Sequence, residues 1–376
     1  MQNSLVLYGG PRADYSRPEM AMSRIFWILT LTATLWAAPA REFIFEAAPF
    51  PSCHASTIVE TAPGELLAAW FGGTGEGHPD VAIWGAHKRQ GVWSAPVELA
   101  REPDIAAYNP VLFFNKEGLL WLYFKFGRDP SSWTAGRRAS RDGGRTWSPV
   151  EHLPAGLYGP IKDKPLALPS GVIVSGTSVE SYRSWACWVE RSTDGGWTWT
   201  RHGPITATAP APAATAGSTA LPQVPGSQEW GRTHGIIQPA IVRLPGGGLR
   251  MFVRSTRDIG RICYADSSDL GLTWSTARPT SLPNPNSGID AVGLRDGRIV
   301  LVYNHTQTGR WPLNLAVSRD GERWQSFLAL ESEPGEFSYP AIIQGRDGAL
   351  HITYTWNRKK IRHVEVPLPD IPEVNP

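Results

Sequence analysis

The segment from Ser140 to Trp147, SRDGGRTW, sets the pattern that the rest of the chain repeats. Two further copies, STDGGWTW and SSDLGLTW, begin at Ser192 and Ser267, and a shorter one, SRDGERW, begins at Ser318. The first two copies start 52 residues apart and the last two start 51 residues apart. A fixed period of about 50 residues is typical of propellers and other arrays of one repeated unit. We therefore predict several copies of one small sheet.

The wider interval of 75 residues between the second and third copies has a simple explanation. It contains a stretch at about 205–228 that is rich in Ala, Pro, Ser and Thr, and removing its 24 residues restores a spacing of 51. We interpret this stretch as a low-complexity surface loop inserted between two repeats. A degenerate fifth copy, KRQGVW, occupies residues 88–93, one period before the first complete copy.

Each copy contains the residues of a tight turn between two strands. An Asp side chain can accept backbone N–H groups in such a turn, and Gly can adopt a positive φ. The Trp that ends each copy can pack between neighbouring sheets. We predict a structural role for the four acids and no metal site, because the ligand spacing of a calcium loop is absent. These acids are Asp142, Asp194, Asp269 and Asp320.

The four turns resemble the Asp boxes of the sialidase superfamily, and the resemblance covers most of residues 45–365. It implies an all-β fold, a β-propeller built from four-stranded antiparallel blades. The mature chain from about Arg41 to Pro376, less the insert, holds about six periods of this length. We expect six blades in one domain, residues 41–376. The high contents of Gly (38 residues) and Pro (33 residues) agree with many short strands joined by turns.

The N-terminal region has the pattern of an export signal. Arg24 precedes an apolar run at 25–36, and the small residues at 38–40 form a plausible cleavage site. Translation is then expected to begin at Met20 or Met22. The pattern predicts a secreted or periplasmic protein that is not stably inserted in a membrane once the signal is removed. A short uncleaved anchor is the alternative, although the run is short for a membrane span.

The bulk composition excludes some classes of function. A net charge of +2 argues against a dedicated nucleic-acid binder, although a local basic pocket for an acidic ligand remains compatible with it. The three cysteines cannot form a disulfide framework and are expected to be buried as small apolar residues. We expect no metal and no cofactor, and we expect a monomer.

The resemblance also assigns candidate catalytic residues. Arg254 and Arg310 match the second and third arginines of the family's carboxylate-binding triad, and Tyr339 matches its nucleophile. The planar fork of arginine suits a carboxylate, and a neutral phenol tolerates an anionic sugar better than a carboxylate nucleophile would. The chain departs from the family at two positions. The first arginine is missing, with His54 as the nearest polar candidate, and Gln238 replaces the glutamate that polarises the tyrosine.

The remaining candidates lie in loops and at strand ends. The family's acid/base position falls in a glycine-rich loop that offers Glu76 and Asp80, and either is suitable as a general acid if it is partly desolvated. Glu180 lies among Trp residues and is a possible replacement for the missing glutamate beside Tyr339. A solvated loop or strand face is the alternative reading of each of these carboxylates. Further candidates for substrate contacts are Asn109, Lys164 and Asn304.

Three hypotheses about function follow from these residues. The first is an exported exo-glycosidase of the sialidase type, which removes a terminal acidic sugar, sialic acid or a related one, from a glycan. The second keeps the fold and predicts either a glycosidase for another sugar or β-elimination from a uronate. In the elimination Tyr339 and His54 act as base and acid, and Arg254, Arg310 and a lysine stabilise the enolate. The third is a glycan-binding propeller without catalytic activity.

Overall fold

The structure is a computed structural model that describes residues 7–11, 13, 39–208 and 234–374. Strands dominate this part of the chain, so the predicted all-β class is confirmed. The apolar run at 25–36 and residues 209–228 of the predicted insert lie outside the described residues. Within the described residues, no helix has the length and apolar character needed to cross a bilayer. Two short 3-10 turns, Pro130–Ser132 and Leu368–Asp370, are also present.

Antiparallel strands that follow one another along the chain form six meanders, with β1 (Ala40–Phe43) as the outer strand of the sixth. Meander 1 contains β2 (Ser52–Ala62), β3 (Glu65–Gly73), β4 (Ala82–Arg89), β5 (Val92–Trp93) and β6 (Val97–Ala100). Meander 2 contains β7 (Ala107–Phe114), β8 (Leu120–Phe126), β9 (Thr134–Ser140) and β10 (Glu151–His152). Meander 3 contains β11 (Leu166–Ala167), β12 (Ile173–Glu180), β13 (Ser184–Ser192) and β14 (Thr200–Ile205).

The second half of the chain continues in the same way. Meander 4 contains β15 (His234–Arg243), β16 (Leu249–Ser255), β17 (Arg261–Ser267) and β18 (Arg278–Pro283). Meander 5 contains β19 (Asp290–Gly293), β20 (Ile299–Asn304), β21 (Leu313–Ser318) and β22 (Gln325–Glu331). Meander 6 contains β23 (Phe337–Gln344), β24 (Leu350–Trp356) and β25 (Lys360–Val366), and β1 pairs with β25. A short parallel pairing of β13 with β15 joins meanders 3 and 4 into one sheet.

The repeated turns connect the third and fourth strands of meanders 2 to 5. In the third copy, Asp269 Oδ1 accepts the backbone N–H groups of Leu272 at 3.1 Å and Thr273 at 2.9 Å. The Ser267 hydroxyl donates to the same oxygen at 2.8 Å and accepts the N–H of Gly271 at 2.9 Å. These hydrogen bonds, led by that of the Thr273 hydroxyl, lower the pKa of Asp269 to about 2. The acid therefore organises its own turn.

The tryptophans that end the repeats pack against the preceding meander. Trp199 of meander 3 donates its indole N–H to the hydroxyl of Tyr123 in meander 2 at 3.1 Å. Trp324 of meander 5 meets Phe252 of meander 4 edge-to-face, with ring centroids 5.3 Å apart. Each repeat therefore closes a turn and also fixes the contact between consecutive meanders.

Acid is expected to unfold the protein through these turns. All four repeat acids have a pKa below the ordinary value, and that of Asp269 is about 2. A carboxylate of this kind contributes stability that is complete above its unfolded pKa of about 3.9 and is lost as the pH falls through its folded pKa. Urea unfolding at a series of pH values should show a free energy of unfolding that falls from about pH 4 towards pH 2.

A matched variant tests whether the turns cause this fall. Asp269→Asn keeps an oxygen acceptor for the turn but does not titrate. It should be less stable than the wild type near neutral pH and should lose less stability between about pH 4 and pH 2. An identical acid dependence in the two proteins would assign the effect to other carboxylates.

The turns lie at two ends of each meander. The first-to-second and third-to-fourth turns, which include the repeats, lie at one end. The second-to-third turns lie at the other, which we call the upper end, and the first strand of each meander starts there. Residues 74–81, 305–312 and 357–359 are upper-end turns. The predicted site residues are concentrated towards this end.

Candidate active site

Four first strands carry an irregularity at nearly the same level below the upper end. The pairing of β2, β7, β15 and β23 with their second strands shifts register at a bulge. Within each bulge one residue that is not glycine has a left-handed backbone: Ala55 (φ 56), Asn109 (φ 42), Gln238 (φ 57) and Tyr339 (φ 51). Bulges redirect side chains, and strained backbone is concentrated at functional sites. This level is therefore the natural place to look for chemistry.

The phenol of Tyr339 is held by two donors. Arg254 Nη1 and Gln238 Nε2 each donate to its hydroxyl oxygen at 3.0 Å. Arg254 Nη1 also lies 3.3 Å from Gln238 Oε1, and Arg254 Nε donates to Asn286 Oδ1 at 2.7 Å. In this arrangement neither neighbour accepts the phenol proton, but both stabilise negative charge that develops on the oxygen during a reaction.

Two more guanidinium groups lie close to this phenol or to its neighbours. The Arg310 guanidinium carbon is 5.9 Å from the centre of the Tyr339 ring. Arg310 Nη1 and Arg358 Nε both donate to Glu336 Oε1 at 2.7 Å. Burial and the nearby positive charge of Arg254 lower the pKa of Arg310. Positive charge is crowded here, and an anionic ligand would relieve it.

Sequence reasoning missed Arg358. It lies in the turn between β24 and β25, where Asn357 (φ 51) and Arg358 (φ 57) are both left-handed. Its backbone carbonyl accepts the N–H of Cys53 at 2.9 Å, which fixes the turn beside the start of β2. The position that matches the family's first arginine falls in β2, where His54 is the nearest polar residue, whereas Arg358 lies in a turn of meander 6. The available signal was the run of basic residues at 358–360, in the same class of turn as the loop that carries Glu76.

His54 lies against the same phenol. Its ring centroid is 4.2 Å from that of Tyr339, and its Nδ1 is 2.9 Å from Thr355 Oγ1. Its Nε2 is buried and has no hydrogen-bond partner among the described residues. Burial, followed by the positive charges of Arg358 and Arg310, lowers the pKa of His54 well below its usual value. The imidazole is therefore neutral near pH 7.

Asp80 and Glu76 have different roles in the upper-end loop. Asp80 accepts hydrogen bonds from the backbone and the hydroxyl of Thr74, the latter at 2.7 Å, and its Oδ1 lies 2.7 Å from His78 Nδ1. Burial raises the pKa of Asp80, but the hydrogen bonds from Thr74 and His78 together outweigh it, so the pKa is lowered. Asp80 thus organises its own loop. Glu76 instead reaches across to meander 6 and forms an ion pair with Arg358.

Glu180 has the properties of a proton donor near neutral pH. It ends β12 and is half-buried. Burial raises its pKa to about 7, although the charge of Arg254 opposes the shift. Ser178, two residues earlier on the same face of β12, accepts the backbone N–H of Gln238 at 3.3 Å. Because Ser178 is level with Gln238, Glu180 lies two residues of β12 closer to the upper end than the Gln238–Tyr339 pair.

The three other predicted contact residues form hydrogen bonds or an ion pair with neighbouring segments of the chain. Asn109 Nδ2 donates to the carbonyl of Ile161 at 3.2 Å. Lys164 Nζ lies 2.9 Å from both carboxylate oxygens of Asp290, and Asn304 Nδ2 donates to the carbonyl of Phe337 at 3.0 Å. The structure gives each of them protein partners, and Lys164 also lines a cavity at the lower ends of meanders 4 and 5, outside the Tyr339 cluster.

Two other features bear on ligands. No cluster of three or more His, Cys, Asp or Glu side chains that could hold a metal ion occurs in the part of the chain that the structure describes. A cavity of about 510 Å³ opens at the lower ends of meanders 4 and 5, lined by residues such as Ile241, Leu244 and Val292. It does not contain the Tyr339 cluster, and the charged residues in its lining are Lys164, Arg243 and Arg295.

Comparison with known proteins places this geometry in a family. The model of the BNR repeat-like domain matches residues 64–352, which is most of the chain. The chain belongs to the BNR repeat-like family. The sequence-based prediction of a protein with BNR repeats and a sialidase-like fold is confirmed. A comparison with curated protein sequences finds no match for this BNR repeat-like protein.

Solved structures share its fold at low identity. The NanB sialidase of Streptococcus pneumoniae is 14% identical with a TM-score of 0.69, covering 88% of this chain and 71% of the other. The intramolecular trans-sialidase of Ruminococcus gnavus is 14% identical with a TM-score of 0.64, covering 89% and 98%. A protein of unknown function from Dyadobacter fermentans is 15% identical with a TM-score of 0.70, covering 87% and 97%. At these identities the likeness shows the fold.

Proposed function

We propose that this BNR repeat-like protein is an exo-glycosidase of the sialidase type that hydrolyses a terminal acidic sugar, sialic acid or a related one. The observation that carries the proposal is the group of arginines near Tyr339. Arg254 Nη1 lies 3.0 Å from the Tyr339 hydroxyl, and the Arg310 guanidinium carbon lies 5.9 Å from the centre of its ring. Arg358 shares the carboxylate of Glu336 with Arg310. Two of the structurally similar proteins are a sialidase and a trans-sialidase. The proposal includes closure of the six meanders into a six-bladed propeller, an export signal before Arg41, and action as a monomer.

The three arginines are the proposed carboxylate site. Arg254 and Arg310 are the residues that resemble the family's triad, and Arg358 supplies the third guanidinium from a different position in the chain. In the structure, the carboxylate of Glu76 forms an ion pair with the guanidinium of Arg358. A substrate carboxylate has the same chemistry as this side chain, so it can replace Glu76 on Arg358 while also engaging the other two arginines.

The hydrolytic step uses groups on two sides of the sugar. The Tyr339 oxygen attacks the anomeric carbon, and the bond from that carbon to the leaving oxygen breaks. Glu180 donates a proton to the leaving oxygen, and Glu76, released from Arg358, accepts the phenol proton. Water then attacks the anomeric carbon of the glycosyl-tyrosine and gives a proton to Glu180, while the bond from that carbon to the Tyr339 oxygen breaks. Glu76 returns its proton to the phenolate, so all three side chains are restored. Arg254 stabilises the charge on the phenol oxygen throughout.

The pH profile should report Glu180. Its carboxyl is protonated below a pKa of about 7, so turnover should fall as the pH rises above that value. For Glu180→Gln we expect low turnover and no further fall in turnover as the pH rises through about 7; in the wild type, that fall is the alkaline limb of the profile. Steady-state rates across the neutral range test this.

Glu190→Gln is the matched control for this profile. Glu190 also has a pKa raised to about 7 by burial, but its oxygens accept the backbone N–H groups of Tyr158 and Gly159 at 2.8 and 2.6 Å. This variant should keep the alkaline limb. Loss of the limb in Glu190→Gln, or its persistence in Glu180→Gln, would remove Glu180 from the mechanism.

β-Elimination from a uronate is the second candidate, and the contact between His54 and Tyr339 favours it. In that reaction Tyr339 acts as its phenolate, whose oxygen removes the proton from the carbon that bears the carboxylate. The carbon–oxygen bond at the adjacent carbon then breaks, a carbon–carbon double bond forms, and His54 gives its Nε2 proton to the leaving oxygen. The proton that Tyr339 removed passes on to His54 after His54 has protonated the leaving oxygen, so both side chains return to their starting states. The product is an unsaturated uronate with an ultraviolet chromophore.

Three substrates separate the candidates. Residues 41–376 are incubated with a fluorogenic α-sialoside, with a matched neutral α-glycoside, and with uronate polymers. Release from the sialoside alone is the expected result. A new ultraviolet chromophore from a uronate polymer would select elimination, and binding to an acidic glycan without any reaction would select a glycan-binding protein.

A further inference from the structure

A buried lysine lies beneath the proposed nucleophile. Lys162 is 4% exposed, and its Nζ donates to three oxygens: Asp163 Oδ1 at 2.7 Å, the Ile289 carbonyl at 2.6 Å and the Pro340 carbonyl at 2.5 Å. The last two acceptors belong to segments more than 100 residues away, with sequence separations of 127 and 178. One ammonium group therefore joins the segment that precedes β11 to the residue that precedes β19 and to β23.

The backbone that receives this lysine is the strained segment of the site. Tyr339 has a φ of 51 within the bulge of β23 between Ser338 and Ala341. Proline at position 340 further restricts the residue before it. A conformation of this kind persists only where surrounding contacts impose it. The hydrogen bond from Lys162 to the Pro340 carbonyl is such a contact.

Packing places the same lysine against the aromatic ring. Its Nζ lies 6.0 Å from the centre of the Tyr339 ring. A Cβ added at Gly288 would meet Gln238 Oε1 at 3.3 Å, Tyr339 Cδ2 at 3.4 Å and Lys162 Cε at 3.5 Å. The last two distances are ordinary van der Waals contacts and the first is slightly tight, so all three groups border the same small space beside Gly288. The lysine stem, the phenol ring and the glutamine amide therefore form one packed unit.

We infer that Lys162 is a positioning residue for Tyr339. By holding the Pro340 carbonyl it fixes the bulge of β23, and the fixed bulge aims the phenol oxygen at Arg254 Nη1 and Gln238 Nε2. The kinetic part of this inference rests on the proposed glycosidase function, because Tyr339 is the nucleophile there. The geometric part does not, since the orientation of the phenol can be measured without any substrate.

The chain contains a matched lysine for comparison. Lys125 is completely buried, and its Nζ donates to the backbone carbonyl of Pro160 at 2.7 Å. Burial lowers its pKa to about 7. Lys125 thus has the same side chain, similar burial and a backbone carbonyl acceptor, but its acceptor, Pro160, lies in the segment between β10 and β11, two residues before Lys162, and not beside Tyr339. Lys162→Met removes an ammonium group from that segment, and Lys125→Met removes one from β8.

The first measurement is fluorine NMR of chains labelled with fluorotyrosine, without substrate. The Tyr339 resonance is assigned by its absence in Tyr339→Phe. We expect Lys162→Met to shift or broaden this resonance, and Lys125→Met to leave it in place. If the resonance is unchanged in a folded Lys162→Met protein, the inference is overturned, whatever the enzyme's activity.

The second measurement separates kcat from KM on whichever acidic glycoside the wild type cleaves. A misplaced nucleophile should reduce kcat of Lys162→Met by about 100-fold, with KM within about threefold because the arginines are untouched. Lys125→Met should keep the wild-type kcat. Equal kcat values for the two variants would contradict a positioning role.

A second variant covers the case in which Lys162→Met does not fold. Lys162→Gln retains a polar head that can donate to one carbonyl, but it is too short to keep all three contacts. Its Tyr339 resonance is expected to move in the same way. An unmoved resonance in this variant would equally overturn the inference. If the wild type cleaves no glycoside, the NMR comparison alone decides.

Discussion

Replacing Tyr339 by Phe should reduce turnover of the acidic glycoside by on the order of 1,000-fold or more, because the attacking oxygen is removed. Phenylalanine retains the ring that contacts His54 and lies over Lys162, so the bulge of β23 should survive. The arginines remain, and affinity for the free acidic sugar should change by less than about threefold. Single-turnover rates and calorimetric binding measure the two quantities separately.

Tyr354→Phe is the control for this substitution. The Tyr354 hydroxyl is buried and donates to Glu331 Oε1 at 2.7 Å, an oxygen that also accepts from Arg362 Nη1 at 2.8 Å. Its removal should affect stability and leave turnover near that of the wild type. Wild-type turnover in Tyr339→Phe would exclude a tyrosine nucleophile, and loss of sugar binding together with activity would show that the phenol binds substrate instead.

Replacing Arg254 by Met should lower kcat/KM by about 100-fold to 1,000-fold. This arginine donates to the Tyr339 hydroxyl at 3.0 Å and to Asn286 Oδ1 at 2.7 Å, and it is one of the three proposed carboxylate ligands. Its loss removes one ligand of the substrate carboxylate and also the donor that stabilises charge on the reacting oxygen. Both kcat and KM should therefore change, in contrast to Tyr339→Phe, where the effect is confined to kcat.

Arg250 on the same strand is a close control. It is also buried, but it pairs with Asp266 at 2.6 Å and donates to the carbonyl of Asp320 at 3.0 Å in the following repeat. Arg250→Met should lower the urea midpoint while the folded protein retains its kcat/KM. If the two variants lose activity in parallel with stability, Arg254 has no specific role in the reaction.

The fold was accessible from the sequence because its signal is periodic. One Asp-Gly turn says little, but four copies at a constant spacing predict equivalent positions in equivalent sheets. The structure places every copy between a third and a fourth strand, and the degenerate copy at 88–93 forms the corresponding hairpin of β4 and β5. The start of the predicted insert differs, since Ile205 is buried in β14 and Ala207 bridges to Ala277. Composition identifies a low-complexity segment, but it does not identify the last residue that still packs against the sheet.

Only part of the candidate site could be predicted from the sequence. Tyr339, Arg254 and Gln238 lie in motifs with neighbours that identify them, and the structure brings these three together. Arg358 was missed because a functional group can be supplied from another turn that ends at the same place in space. The importance of Lys162 was equally hidden, because its acceptors are backbone carbonyls of distant segments, which no sequence pattern records.

The pairing of β1 with β25 has a consequence for assembly. Ala40 lies opposite Glu365, and Glu42 lies opposite His363, so the last sheet needs both ends of the chain. Glu42 Oε1 also accepts from Lys88 Nζ at 2.6 Å in meander 1. A chain trimmed past Phe43 would present the bare edge of β25, which is a template for a foreign strand. That bare edge offers the same pairing groups to β1 of an intact second copy, so partial proteolysis that removes β1 would favour strand-exchanged dimers.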